Sequence, residues 1–118
     1  MPAASGVAGA RAEALAAAFL AARGLAIVER NFRCRRGEID LIARDGETLV
    51  FVEVRLRTRR DFGGAAASIT AAKRARIAAA ALFYLGRLRR TPPCRFDAVL
   101  LDALDADRIE WLQDMMSA

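Results

Sequence analysis

The sequence predicts a single α/β domain, over residues 1–118, in which a mixed β-sheet has one helix on each side. Three observations lead to this prediction: two alternating apolar runs around Asp45-Gly46, two alanine-rich segments with helical spacing, and two apolar runs near the C-terminus. The length of 118 residues suits one domain with a modest hydrophobic core. The expected element order is α-β-β-β-α-β-β, and residues 1–5 and 114–118 are expected to be loose tails.

The first helix is expected from about Gly6 to Arg23, because alanine favours helices and Gly24 suits the position after a helix end. Its apolar stripe is predicted to consist of Leu15, Phe19 and Ala22. Glu13 lies on a different ridge of this helix. Two interpretations of Glu13 stay open: a surface glutamate, or a carboxylate directed over the sheet.

The first strand is expected from Leu25 to Phe32, followed by a basic turn from Arg33 to Arg36. The next two strands are predicted to form a hairpin around Asp45-Gly46, a dipeptide that tolerates the two positive φ angles of a type I′ turn. Arg44 would then pair with Glu47. The alternation gives the hairpin one apolar face, consisting of Ile39, Leu41, Ala43, Val50, Val52 and Val54.

The other face of the hairpin carries charged side chains. Glu38 is expected directly opposite Glu53, with Asp40 diagonal to it at roughly 7 Å or less and Arg55 further along the strand. Like charges placed this way destabilise a hairpin unless a cation or a shared proton lies between them. Because Mg²⁺ prefers carboxylate oxygens, the pattern favours a divalent-metal site; a solvated charged face is the alternative.

The segment from Thr58 to Gly64 is basic and contains two glycines, which allow a backbone to approach another group closely. We expect this segment to contact a substrate, with a plain connector as the alternative. A second helix is expected to be capped by Ser68 or Thr70 and to end at about Leu85 or Leu88.

Lys73 is predicted to lie in the apolar stripe of the second helix, which also contains Ile69, Ile77 and Tyr84. Its ammonium group either reaches solvent or extends towards the acidic face of the hairpin. The last two strands are expected at Cys94 to Leu101 and at Arg108 to Leu112.

The charge balance favours a polyanionic partner. The chain carries 19 basic residues, of which Lys73 is the single lysine, against 14 acidic residues, with a formal charge of +5. Arginine suits phosphate because its planar fork binds two oxygens. An arginine-rich composition is also usual in proteins from GC-rich genomes, so the composition alone leaves both explanations open.

Several classes of site and location are disfavoured by the composition. Histidine is absent, which excludes histidine acid–base chemistry and most zinc sites. Cys34 and Cys94 lack a C-x-x-C arrangement, so two free buried thiols are expected and a disulfide is the alternative. No apolar run reaches the roughly 18 residues of a membrane span, and no signal-peptide pattern is present. We therefore expect a cytoplasmic protein without a membrane partner.

Two short segments resemble a known nuclease pattern. GEIDLI at Gly37 to Ile42 and FVEVR at Phe51 to Arg55 resemble the D…E-x-K core of the PD-(D/E)xK nuclease superfamily. More closely, the chain resembles the YraN-like bacterial family, whose members are regarded as relatives of archaeal Holliday-junction resolvases. The match extends from about Gly9 to about Trp111. It also includes Glu13, Asn31, Gly63 to Ser68, Lys73 and Arg95 to Asp97.

The resemblance implies a restriction-endonuclease-like fold and a metal-dependent endonuclease that hydrolyses DNA, with branched or flapped DNA as candidate substrates. Asp40 and Glu53 would hold Mg²⁺ or Mn²⁺ together with the carbonyl oxygen of Val54. Glu13 and Glu38 would assist as further acidic residues of the catalytic site.

Arg55 occupies the position of the superfamily's usual lysine. Arginine effectively cannot release its proton, so Arg55 would stabilise phosphate charge without acting as a general base. DNA contacts are expected from seven basic residues: Arg33, Arg35, Arg36, Arg57, Arg59, Arg60 and Lys73. Two alternatives stay open: a nucleic-acid-binding module that keeps the fold without cleavage, and a protein–protein adaptor whose apolar patch is formed by Phe62, Trp111 or other exposed apolar side chains. A homodimer is likewise open.

Overall fold

The structure of the chain, a computed structural model, describes residues 7–56, 70–102 and 108–115. The elements follow the predicted order: α1 (Val7–Ala22), β1 (Ala26–Cys34), β2 (Gly37–Asp45), β3 (Thr48–Leu56), α2 (Ala71–Leu85), β4 (Cys94–Leu101) and β5 (Ile109–Leu112). The five strands form one sheet in sequence order. Its pairs are antiparallel except β3 with β4, which are parallel, so the predicted mixed sheet is confirmed.

The two helices cover opposite faces of the sheet, as predicted. The α1 side contains Ala12, Ala16, Ala17, Leu20, Leu41, Ala43, Val50, Val52 and Val99. The α2 side contains Phe32, Ile39, Ile42, Phe51, Ile77, Ala80, Ala81 and Tyr84. Each face therefore has its own apolar core, and both cores include residues of β2 and β3. None of the described helices is long and apolar enough to cross a membrane.

The buried ridge of α1 differs from the predicted stripe. Leu15 and Phe19 are half-buried and Ala22 is exposed. The ridge in contact with the sheet consists of Ala12, Ala16, Ala17 and Leu20. Three of these four residues are alanines, whose small side chains let the helix backbone lie close to the strands. Glu13 is next to Ala12 in the sequence, so it lies beside this ridge, and its side chain is half-buried.

The hairpin has the predicted strands but a different turn. Asp45 pairs with Thr48, so the two loop residues are Gly46 and Glu47, and the predicted pairing of Arg44 with Glu47 is wrong. Gly46 has a φ of 62°, while Glu47 is not among the described residues with positive φ. One left-handed residue at the first loop position is typical of a type II′ turn. Although the loop lies one position later than predicted, most side chains of the hairpin lie on the predicted face of the sheet.

Most other boundaries are close to their predicted positions. Gly24 ends α1 with a φ of 95°. Thr70 caps α2, because its side-chain oxygen accepts a hydrogen bond from the backbone N–H of Lys73 at 3.2 Å. Cys34 lies in β1 and is half-buried, whereas Cys94 is exposed at the start of β4. Both thiols are free, as expected, but Cys94 is exposed, so the expectation of burial is wrong for Cys94.

A buried carboxylate ties the last strands together. Asp97 in β4 is 2% exposed and accepts hydrogen bonds from Nε of Arg95 at 3.0 Å, Nε1 of Trp111 at 2.9 Å and the backbone N–H of Asp114 at 3.0 Å. The Arg95 guanidinium also donates to Asp45 at the hairpin turn, at 3.1 Å. The network thus connects the β2–β3 turn, β4 and the segment after β5.

Candidate active site

The strands β2 and β3 separate beside Asp40. Their ladder ends at the pair Leu41–Val52, although β2 continues to pair with β1 as far as Gly37 and β3 with β4 as far as Leu56. The predicted pairing of Glu38 opposite Glu53 is therefore wrong.

The strict alternation of β2 also breaks at this opening. Leu41 and Ala43 face α1, as predicted, but Ile39 packs with Phe32 on the α2 side instead of the α1 side. Two apolar residues flanking Asp40 thus face opposite sides of the sheet. Asp40 lies at the change of phase, in the gap that the separating strands leave.

The Asp40 carboxylate accepts a backbone hydrogen bond from β3 beyond the point where the β2–β3 ladder ends. Its Oδ2 accepts a hydrogen bond from the backbone N–H of Val54 at 2.8 Å. This contact places Val54, the third predicted metal ligand, beside Asp40. It also brings the Asp40 carboxyl into hydrogen-bonding contact with the Glu53 carboxyl. The two predicted metal-binding carboxylates are therefore side by side.

Burial dominates the electrostatics of this carboxyl pair. It raises the pKa of Asp40 to about 7, with a further rise from the negative charge of Glu53 and an opposing effect of the Val54 N–H. Burial also raises the pKa of Glu53, against the opposing charges of Lys73 and Arg55. The pair therefore resists carrying two negative charges without a cation, as expected for neighbouring carboxylates.

Lys73 extends towards the acidic side chains rather than into solvent. Its Nζ lies 3.6 Å from Oε2 of Glu53, and its side chain is 34% exposed. The approach of α2 depends on Gly37, because a Cβ there would lie 2.2 Å from the carbonyl oxygen of Arg76. A residue without a side chain at the start of β2 thus lets the helix bring Lys73 to Glu53.

Glu13 and Glu38 complete a carboxylate cluster, defined here as Glu13, Glu38, Asp40 and Glu53. Burial raises the pKa of Glu13, and the charge of Asp40 raises it further, so α1 does direct this carboxylate over the sheet. Glu38 pairs with Arg33 of β1, with 3.5 Å between Oε1 and Nε. It also lines a cavity of about 30 Å³ together with Glu53, Lys73, Arg76 and Ile77.

Asn31 is a residue of this region to which sequence reasoning gave no role. Its side-chain amide hydrogen-bonds the Glu13 carboxylate. It belongs to the residues that carry the family resemblance, and Asn tolerates left-handed backbone, but neither signal indicates which carboxylate it contacts.

Four arginines surround a second concave surface next to the cluster. This arginine concavity is lined by Arg33, Arg35, Arg36 and Arg76, together with Cys34, Gly37 and Glu38, and has a volume of about 430 Å³. Arg33 lies in β1 and only Arg35 and Arg36 form the turn. Arg76 of α2 was not predicted. Arg57, Arg59 and Arg60 lie outside the described residues.

The donor set of the carboxylate pair fits a hard divalent cation. Among residues 7–56, 70–102 and 108–115, no group of three or more Asp, Glu, Cys or His side chains is placed to hold one metal ion. Mg²⁺ commonly takes only one or two carboxylates and completes its coordination with water and substrate phosphate. Asp40 and Glu53 match that requirement, since burial raises the pKa of both carboxyls and a bound cation would offset the cost of their buried charge.

Trp111, one of the side chains expected in the apolar patch of an adaptor, is only partly exposed. Trp111 is half-buried, packs edge-to-face on Phe19 with 6.3 Å between ring centroids, and donates to Asp97. Phe62 lies outside the described residues. The large apolar side chains that are exposed in the described part of the chain are Val28, Leu82, Phe83 and Leu88.

We expect the stability of the metal-free protein to fall as the pH rises through about 7. The folded chain raises the pKa of Asp40 from 3.8 to about 7, so it binds this proton more tightly than the unfolded chain does. The stabilisation is fully present below the pKa that Asp40 has in the unfolded chain, and it is lost as the pH rises through the pKa that Asp40 has in the folded chain. The free energy of unfolding changes by at most about 4 kcal/mol over this range. Glu13 and Glu53, whose pKa values are also raised, act in the same direction.

Melting temperatures at about pH 5 and about pH 8, with and without millimolar Mg²⁺, measure this effect. The cation should raise the melting temperature mainly at the higher pH, because there it replaces the lost proton. Asp40→Asn should flatten both the pH and the Mg²⁺ responses. Equal Mg²⁺ responses of the wild type and Asp40→Asn would show that this carboxyl pair does not hold the cation.

Comparison with known proteins places the chain in a family. The profile described as "Uncharacterised protein family UPF0102" matches residues 12–101, a range that includes the whole carboxylate cluster and Lys73. A UPF0102 protein of Nitrosospira multiformis is 58% identical over 106 residues, covering 90% of this chain and 89% of the relative. One of Methylobacillus flagellatus is 56% identical over 107 residues, covering 91% and 94%. The YraN-like resemblance is confirmed, and the chain belongs to the family UPF0102.

Proposed function

We propose that the protein is a metal-dependent endonuclease that hydrolyses DNA phosphodiesters. One observation supports this proposal most strongly: Asp40 and Glu53 are held side by side and largely buried at the point where β2 and β3 separate. Lys73 and Arg55 place positive charge beside the same pair. The resemblance to the PD-(D/E)xK superfamily gives this arrangement a chemical interpretation, and a cytoplasmic location would give the protein access to DNA.

The proposed roles follow from the chemistry of each side chain. Asp40, Glu53 and the carbonyl of Val54 would hold Mg²⁺ or Mn²⁺, which when bound polarises a phosphoryl oxygen and lowers the pKa of a water molecule. Arg55 would stabilise the negative charge that develops on the phosphate. Since arginine cannot accept the proton of the attacking water, that proton must go to a carboxylate or to solvent.

DNA binding is assigned to the arginine concavity. Arg76 and Glu38 line both this surface and the small cavity beside Glu53 and Lys73, so the two sites are continuous. A phosphate backbone that crosses the arginines can therefore extend to the carboxylate pair. No described carboxylate lies within ion-pair distance of Arg35, Arg36 or Arg76, which leaves these guanidinium groups available for phosphate.

A cleavage assay tests the proposal. Purified protein is incubated with linear, flapped and four-way DNA in Mg²⁺ or Mn²⁺, and in parallel with a chelator. Cleavage that the chelator stops supports the endonuclease. Salt-sensitive binding without cleavage of any substrate would favour the binding-module alternative, for which the replacement of the usual lysine by Arg55 is the supporting observation. Neither binding nor cleavage would favour an adaptor that uses the exposed apolar residues of α2.

The salt dependence of DNA binding should identify the contacting arginines. Four to six phosphate contacts predict a slope of about −4 to −5 for log K against log salt on duplex DNA. Arg76→Ala should make this slope shallower by about one unit, and the double variant with Arg35→Ala and Arg36→Ala should make it shallower by about two units. Fluorescence anisotropy at several salt concentrations measures the slopes.

Arg44→Ala is the matched control for these variants. Arg44 is also exposed on β2, but it lies seven residues from Gly37, roughly 23 Å along the strand. Its removal should leave the slope unchanged. A slope that falls equally in Arg44→Ala and Arg76→Ala would contradict a defined phosphate path through the arginine concavity.

A further inference from the structure

Asn31 has an unusual backbone conformation for a strand residue. It lies within β1, yet its φ is 53°, in the left-handed region. Asp114 is the other described non-glycine residue with positive φ. Asn is among the few residue types that tolerate this region, so a sequence can retain Asn for its backbone alone. Non-glycine residues in such conformations concentrate at functional sites.

The strand register places Asn31 next to the carboxylate pair. Its neighbours Arg30 and Phe32 pair with Leu41 and Ile39 of β2, so Asn31 lies across from Asp40. The irregularities of the two strands therefore coincide: the left-handed residue of β1 faces the position where β2 changes phase. A regular ladder would have oriented both side chains by simple alternation.

The Asn31 side chain joins this position to α1. Its amide hydrogen-bonds the carboxylate of Glu13, which is half-buried between α1 and the sheet. Glu13 interacts electrostatically with Asp40 and with Glu38, so it lies close enough to add charge to the proposed cation site. Burial and the charge of Asp40 disfavour the ionised form of Glu13, and the hydrogen bond from the Asn31 amide offsets part of that cost.

We propose that Asn31 is a positioning residue that acts through Glu13. Its left-handed backbone directs the amide towards α1, and the amide holds the Glu13 carboxylate beside Asp40 and Glu53. Glu13 then adds negative charge next to the cation that Asp40 and Glu53 hold. This inference rests on the proposed function, because it concerns the same cation site. It assigns Asn31 a role in metal affinity rather than only in the shape of β1.

Asn31→Gly separates these two roles, because glycine keeps the left-handed conformation and removes the amide. The affinity for Mn²⁺, measured by calorimetric titration at about pH 8, should fall about 10-fold or more, as for other groups that orient metal-site carboxylates. Glu13→Gln should cause a similar loss. In the double variant the two losses should not add, since Asn31 acts only through Glu13. Asp114→Gly, the same change at the other left-handed residue, should leave Mn²⁺ affinity unchanged.

The outcomes distinguish this inference from the proposed function. Wild-type Mn²⁺ affinity in Asn31→Gly would overturn the positioning role, and so would wild-type affinity in Glu13→Gln, which does not depend on how the first variant folds. Additive losses in the double variant would overturn the route through Glu13. In each of these cases the wild type still binds Mn²⁺ and loses it on Asp40→Asn, so the proposed cation site survives. Absence of Mn²⁺ binding by the wild type would overturn both.

Discussion

Asp40→Asn should abolish Mg²⁺-dependent DNA cleavage while leaving the fold and DNA binding intact. The variant removes the negative charge that a cation needs. It keeps an oxygen that can accept the hydrogen bond of the Val54 N–H, which measures 2.8 Å in the wild type. We expect a decrease of at least about 100-fold, because the loss of even one group that stabilises transition-state charge costs about that much. Glu53→Gln should give the same result.

DNA binding provides the internal control for these variants. The arginine concavity is made of β1, the following turn and α2, so removal of a carboxylate charge should not weaken its contact with phosphate. Binding should keep the wild-type salt slope while cleavage is lost. Cleavage by Asp40→Asn at the wild-type rate would mean that the chemistry occurs elsewhere, or that another nuclease is present in the sample.

Arg55 variants refine the same prediction. Arg55→Ala should strongly reduce cleavage, because a positive charge beside the phosphate is lost. Arg55→Lys should retain a substantial share of the activity, since a cation remains within reach of the same phosphate. Initial rates measured with saturating Mg²⁺ separate the two. Equal activity of Arg55→Ala and the wild type would exclude Arg55 from charge stabilisation and leave Lys73 as the nearby cation.

The spacing of apolar residues predicted most of the fold, because buried positions recur at regular intervals along helices and strands and are therefore visible in the sequence. Strands with strict alternation, such as β3, and a strand bounded by proline, such as β4, were placed within a residue or two. The proximity of the Asp40 and Glu53 carboxyls was also predictable, since both residues lie in short runs whose spacing resembles a nuclease pattern. Alternation predicts the face on which each side chain lies wherever the strand is paired with its neighbour in a regular ladder.

The remaining features depend on where the ladder stops. Alternation assumes that β2 pairs with β3 along its whole length, which places Ile39 on the α1 side. The part of β2 before Leu41 is not paired with β3, and there Ile39 faces the α2 side instead. The turn residue Glu47 and the left-handed Asn31 also follow from the three-dimensional register and not from composition. The approach of Arg76 to Gly37 brings together residues 39 positions apart, so no local pattern displays it.

Asp97→Ala should lower the free energy of unfolding by about 3–5 kcal/mol, as expected when one partner of a buried ion pair is removed. The Asp97 side chain is fully buried and that of Arg95 is 18% exposed, so the guanidinium would lose its main counter-charge in a place where water reaches it poorly. The Trp111 indole and the Asp114 N–H would lose their acceptor as well. Urea denaturation followed by circular dichroism measures the change.

Asp45→Ala is the matched control, because it removes the other carboxylate that Arg95 contacts. The Asp45 side chain is 47% exposed, and its Oδ2 lies 3.1 Å from the same guanidinium. An exposed pair of this kind contributes at most about 1 kcal/mol, so its loss should be small. Comparable losses in the two variants would show that the ion pairs of the Arg95 guanidinium, and not the burial of Asp97, determine the change in the free energy of unfolding. A loss below about 1 kcal/mol in Asp97→Ala would show that β5 is held by its apolar contacts alone.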